Sequence, residues 1–111
     1  MKNNIVLVPF PFDDFLGSKI RPALCLTNEI GNYQHIIIAF ISSNLESNLL
    51  ESDFVIQGKS KTETGLKVDS VIKLNKIVTI PKNLIKRKLG KLSSKDGEII
   101  NKKMIQLFEL I

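Results

Sequence analysis

Arg21 and the adjacent hydroxyls of Ser42 and Ser43 are the side chains of this 111-residue chain whose types and places best suit chemistry. Arg21 stands in GSKIRPALCL, where Gly17 and Ser18 are turn residues and Pro22 biases its predecessor towards extended backbone. The spacing predicts an arginine at a loop mouth, just ahead of a strand. In IIIAFISSN an apolar run from Ile36 to Ile41 ends in Ser42 and Ser43, where a buried strand emerges into solvent. A guanidinium offers a planar fork to two nonbridging phosphate oxygens, and a hydroxyl donates one further hydrogen bond. An arginine and a hydroxyl that meet at strand ends suit a phosphodiester. Taken alone, Arg21 also fits a surface salt bridge, and Ser42 a strand-ending hydrogen bond.

Other chemistries find fewer residues. The chain has one histidine, His35, which rules out a two-histidine acid/base pair and a histidine metal cluster. At the start of a strand, His35 reads as a partly exposed strand residue. Asp13 and Asp14 are adjacent, so in an extended segment their side chains diverge to opposite faces, and a turn or cap role fits them better than metal recruitment. No glycine pattern of the P-loop or dinucleotide type is present, and no metal or cofactor is expected. The single Cys25, within an apolar run, forms no intrachain disulfide and reads as a small core residue of a reducing cytoplasm.

The elements that must position Arg21 and Ser42 are mostly short strands. Ile5–Val8, Ala23–Thr27, Ile36–Ile41, Phe54–Ile56, Val71–Ile80 with a break, and Arg87–Leu92 are rich in Val, Ile, Leu and Phe and are separated by turn residues. That spacing favours a small barrel. The unbroken apolar character of Ile36–Ile41 predicts a central strand covered on both sides, with Gly31 and Asn32 turning the chain before it. A helix is predicted after KLSSKDG, with Ser93 and Asp96 resembling a capping box and Ile100, Met104, Leu107, Phe108 and Ile111 forming one apolar stripe. Pro81 suits the first turn of a much shorter helix through Leu84. Asn44–Ser52 and Gly58–Gly65 read as mobile loops.

Length and charge fit this outline. The chain has the size of one domain, 1–111, small enough for a partner surface to add materially to its stability. No apolar run is long enough to span a bilayer, and nothing resembles a signal peptide. The net charge of +5 is uneven, because half of the 16 basic residues fall in 67–92 beside a single acid. Among them, Lys82, Lys86, Arg87, Lys88 and Lys91 follow one another without an intervening acid, a run that attracts phosphates and also serves as a solvated strand face protecting a sheet edge. The loop Phe12–Lys19 just before Arg21 sets Phe15 beside Gly17, Ser18 and Lys19, an aromatic and a cation of the kind that hold unpaired bases.

VLVPFPFDDFLGSKIRPALCL, AFISS and GLKVDSVIKLNKIVTIPKNLIKRKLGKLS follow in this order and resemble the PemK/MazF family of type II toxin–antitoxin toxins over nearly the whole chain. RPAL, the hydroxyl-ended apolar strand and GL-x-x-DSVI form a specific set. The resemblance implies a mainly β fold, a small SH3-like barrel of the PemK/MazF/CcdB type with a C-terminal helix, working as a cytoplasmic homodimer. It implies an endoribonuclease that cuts single-stranded RNA (mRNA) without metal, by attack of the substrate 2′-hydroxyl. Arg21 matches the family's catalytic arginine. Ser42 matches a position usually held by threonine, which keeps the hydroxyl and loses the methyl that limits its rotation. Phe15, Gly17, Ser18, Lys19, Asn28, Ser43, Lys86 and Lys88 are the expected RNA contacts, and the same loop and groove are expected to receive the cognate antitoxin. GLKVDSVIKL implies the subunit interface, with Val71 and Ile72 as candidates. The base that activates the 2′-hydroxyl stays open, since arginine does not readily deprotonate. The alternatives are a CcdB-like toxin that poisons gyrase by binding it, and a degenerate member that binds nucleic acid or antitoxin without cutting.

Overall fold

The computed structural model describes residues 1–9, 19–45 and 48–110. Six strands form its frame: β1 (Asn4–Pro9), β2 (Ile20–Cys25), β3 (His35–Ser42), β4 (Asp53–Ile56), β5 (Ser70–Pro81) and β6 (Arg87–Lys91). A short helix, α1 (Lys59–Thr64), follows β4; a 3₁₀ turn (Lys82–Leu84) follows β5; and a longer helix, α2 (Ser94–Leu107), closes the chain. The strands make one antiparallel sheet in the order β4-β5-β3-β2-β1-β6, curled into a half-barrel. Among the described residues no helix is long and apolar enough to cross a membrane.

Strand alternation sends successive side chains to opposite faces, and the sheet buries both. Ile5, Leu24, Ala39, Ile41, Ile56 and Ile72 build the cluster that α2 covers with Ile100, Met104 and Leu107. Val6, Val8, Ala23, Cys25, Ile36 and Ile38 build the cluster on the other face, against Leu84 and Ile85. This is why β3 reads as continuously apolar. It lies between β5 and β2 and contributes to both clusters.

The curl brings the sheet's far edges together through α1. Gly65, with φ of 74°, ends that helix in the left-handed region, and a Cβ there would overlap the Leu89 carbonyl of β6. A Cβ at Gly90 would likewise meet the backbone of Glu63 and Thr64. Two glycines thus let the helix behind one edge strand touch the other edge strand. The segment Gly58–Gly65, expected as a loop, is instead this helix between two glycines of positive φ. In 44–52 the described residues form no helix or strand, as expected.

The predicted break in β5 is a bulge. Ala39 pairs with Ile77 and Phe40 with Lys73, so Leu74, Asn75 and Lys76 fall outside the register and the strand bends there. Helix α2 starts as its cap predicts, with the Ser93 hydroxyl accepting from the Asp96 N–H at 3.1 Å. Its stripe ends sooner than expected, because Phe108 is the exposed C-cap residue. Ile111 lies outside the described residues.

One expectation needs correction. Val71 and Ile72 are only 1% and 0% exposed within the single chain. They sit mid-sheet in β5, opposite Ser42 and Ile41, and have no surface left to bury against a second copy. A run of Val and Ile next to a turn reads the same in sequence whether its neighbour is a strand of its own chain or of another.

Candidate active site

Pro22 shapes the site. The Leu26 N–H donates to the Ile37 carbonyl, so the amides of β2 at even positions face β3. The pairing continues through Leu24 opposite Ala39 and ends at Ala23 opposite Phe40. The next amide that would bond to β3 belongs to residue 22, and proline has none. On its other side β2 stays paired with β1 as far as Ile20 opposite Pro9. At its Arg21 end β2 therefore remains on β1 while its ladder with β3 has ceased. Arg21 consequently lies inside a strand, paired with Val8, rather than at the loop mouth expected from sequence.

Continuing the register two steps beyond Ala23 and Phe40 sets Arg21 across from Ser42. These would be a non-hydrogen-bonded pair, whose side chains project from the same face. The gap where the ladder fails is a cavity of about 540 Å³, and both Arg21 and Ser42 line it, with Ser43, Asn44 and Lys67 around them. Arg21 and Ser42 are each half-buried, so the pair is sheltered and open at once.

The Ser42 hydroxyl accepts from the Asn44 N–H at 3.0 Å. This bond restrains a side chain that lacks threonine's methyl, and it leaves the hydroxyl proton to be donated outward. The rim is braced from below: Lys61 of α1 pairs with Asp69 at 3.1 Å, and the buried Ser70 donates to the Val68 carbonyl at 2.9 Å. Lys67, exposed at this rim, escaped the sequence reading, although its place in GLKVD and the excess of bases in 67–92 pointed to it.

The other predicted residues are distributed less compactly. Ser43 joins the cavity. Lys19 is exposed just ahead of β2, while Phe15, Gly17 and Ser18 lie outside the described residues, as do Asp13 and Asp14. Asn28 does not join the site: it follows the far end of β2, where its side-chain oxygen accepts from the Lys2 N–H at 2.9 Å. Lys88 pairs with Val6, and the Lys86 N–H donates to the Leu7 carbonyl, so both lysines stand beyond β1 from Arg21. In that register Lys86 would fall in the row of Val8 and Arg21, two strand spacings or about 10 Å from the latter. Both are exposed, in keeping with a peripheral electrostatic role.

Groups outside this cavity offer little competing chemistry. Burial pushes the Cys25 thiol up to about 11, partly countered by the chain's amino terminus, so it is a packed thiol and not a nucleophile. His35 is half-buried at the start of β3, edge-on to Tyr33. Among the described residues no three His, Cys, Asp or Glu side chains are grouped to hold a metal ion.

A cation and a hydroxyl donor sharing one cavity suit an anion, and the chain as a whole matches a known family. The profile of the PemK-like, MazF-like toxins of type II toxin–antitoxin systems matches residues 2–108. The chain belongs to this family. Its fold agrees with solved structures. An endoribonuclease in complex with its cognate antitoxin, from a mycobacterial species, superimposes with a TM-score of 0.74 at 11% identity, covering 100% of this chain and 96% of that one. The Mycobacterium tuberculosis toxin MazF-mt6 superimposes with a TM-score of 0.70 at 21% identity, over 94% of this chain and 96% of the other. No curated protein matches by sequence. At these identities the toxin fold is what is shared, and the chemistry is argued from this chain's own residues.

Proposed function

We propose that this PemK/MazF-family toxin is an endoribonuclease acting on single-stranded RNA, with Arg21 and Ser42 at its catalytic centre. The observation that carries the reading is their position across a ladder that Pro22 has interrupted, facing one cavity. The substrate 2′-oxygen attacks the phosphorus as the bond to the 5′-oxygen breaks, giving a 2′,3′-cyclic phosphate and a 5′-hydroxyl. Negative charge builds on the nonbridging oxygens in between. Arg21 offers its fork to those oxygens, and Ser42, held through its lone pair by Asn44, donates its proton to the same charge. The 2′-hydroxyl gives up its proton to a base outside this pair, and the leaving oxygen gains one from water.

Lys86 and Lys88, on the face beyond β1, add long-range attraction for the RNA backbone. An antitoxin segment that covers the Arg21 groove would exclude RNA, and such a pair works where mRNA is, in the cytoplasm. A homodimer is part of this reading, with an interface drawn from surfaces other than Val71 and Ile72, and sedimentation velocity at tens of micromolar is its check. No feature of the site favours gyrase binding over phosphodiester chemistry.

The deciding experiment is primer extension on RNA incubated with purified protein, with and without EDTA. Cleavage at discrete positions in EDTA is expected. Arg21→Ala, folded by circular dichroism, should cut about 10²–10³-fold more slowly, the usual cost of losing a preorganised donor to developing charge. Undiminished cleavage by that variant would end the assignment.

A further inference from the structure

Beyond Ser42, on the side away from Arg21, the groove continues into a second cavity of about 240 Å³, walled by Phe40, Ser42, Asn44, Asn48, Lys73 and Lys76. Phe40, Ser42 and Asn44 belong to both cavities, which therefore form one path with Ser42 at its waist. Among the described residues that line the second cavity there is no carboxylate, and there are two ammonium groups. Lys76, thrown out of register by the β5 bulge, places its ammonium 5.6 Å from the centre of the Phe40 ring.

Lys73 is held in an unusual way for a lysine. Its Nζ lies 2.7 Å from Oδ2 of Asp53, whose side chain is 1% exposed. The same oxygen accepts the Leu50 N–H at 2.9 Å, which ties the loop that carries Asn48 and Leu49 to the same anchor. A buried ion pair is weak evidence for stability, because the cost of removing both charges from water consumes most of the attraction. What the pair does achieve here is position. An ammonium has three donors, Asp53 takes one of them, and Lys73 presents the remainder to the cavity it lines. Because Ser42 pairs with Val71, Lys73 is its diagonal neighbour on the same face, roughly 7–8 Å away.

We propose that Lys73, oriented by Asp53, is a second phosphate-binding cation of the groove, seating the phosphate next to the one that is cleaved. The inference rests on the ribonuclease reading and assigns it a subsite. Asp53 is a positioning residue: it touches no substrate and acts through Lys73.

The test uses RNA oligonucleotides in which one linkage beside the cleaved one is a neutral methylphosphonate, each side in turn. With the parent protein, one of the two substrates should show a KM raised about tenfold and a kcat within about twofold, as for one lost charged hydrogen bond. Lys73→Gln should raise KM similarly on all-phosphate RNA, lower the salt slope by about 0.7, and make no further difference on the sensitive methylphosphonate substrate. Lys73→Arg should recover most of the affinity, and Asp53→Asn should behave as a weaker Lys73→Gln. The idea is overturned if neither methylphosphonate matters to the parent, or if Lys73→Gln weakens modified and unmodified RNA alike. Parent protein that cuts no RNA at all would instead remove the ribonuclease reading on which the subsite depends.

Discussion

Replacing Pro22 with alanine returns one N–H to β2 where its ladder with β3 stops. In the register that pairs Leu24 with Ala39, this N–H faces the Ile41 carbonyl, so the variant gains one ladder hydrogen bond. Such a bond is worth about 0.5–1.5 kcal/mol net. Alanine also frees the unfolded chain, at a cost of about 0.4–1 kcal/mol. The two nearly cancel, and urea unfolding should stay within about 1 kcal/mol of the parent. Catalysis has no such compensation. Zipping the ladder draws Arg21 and Ser42 together and fills part of the space where the phosphorus must sit, and a misplacement of about 1 Å costs on the order of 10²-fold in rate. The expected result is a stable protein with cleavage reduced by about that factor and an amide at position 22 protected from hydrogen exchange. Parent-level cleavage with an unprotected amide would refute the idea that proline holds the strands apart.

Three further outcomes follow from the same structure. Ser42→Ala should slow RNA cleavage by about 10-fold or more, while Ser42→Thr, which keeps the hydroxyl and adds a rotational restraint, should equal or exceed the parent in a gel-based rate assay. Gly65→Ala should destabilise by roughly 2–4 kcal/mol in chemical denaturation, since it combines a left-handed backbone with overlap onto the Leu89 carbonyl. Cys25, raised from 9.0 to about 11 by burial, should resist alkylation at pH 8 until the protein unfolds. Because its folded value is the higher one, the stability it contributes is fully present below pH 9.0 and is lost as pH rises towards 11, which a comparison of parent and Cys25→Ala unfolding across that range would display.

The sequence makes legible what local rules govern. Arg21 before a proline and Ser42 at the end of an apolar run are each visible in a few consecutive residues, and so are five of the six strands within a residue or two. β2 is the exception, running Ile20–Cys25 where Ala23–Thr27 was expected. Its start is set by pairing with β1, and its hydrophobic stretch gives no sign of that. The same limit hides α1, whose two flanking glycines look like loop punctuation until the sheet curls and brings Gly65 against Leu89 of β6. It also misplaces Val71 and Ile72 at an interface, since apolar content cannot say which neighbour buries it.

The site shows why a resemblance and a register have to be combined. The family pattern names Arg21 and Ser42 without explaining why residues twenty-one positions apart should act together. The ladder offers a reason: pairing from Cys25 opposite Ile38 to Ala23 opposite Phe40 fixes the offset, and two more residues along that register would set position 21 across from position 42. Proline at position 22 then makes the apposition useful. A residue with an N–H would continue the sheet and close the space, whereas proline keeps the register while withholding the bond. Arg21 and Pro22 are thus one device. In the proposed reaction the arginine supplies charge, and the proline supplies the room in which that charge would meet a phosphate.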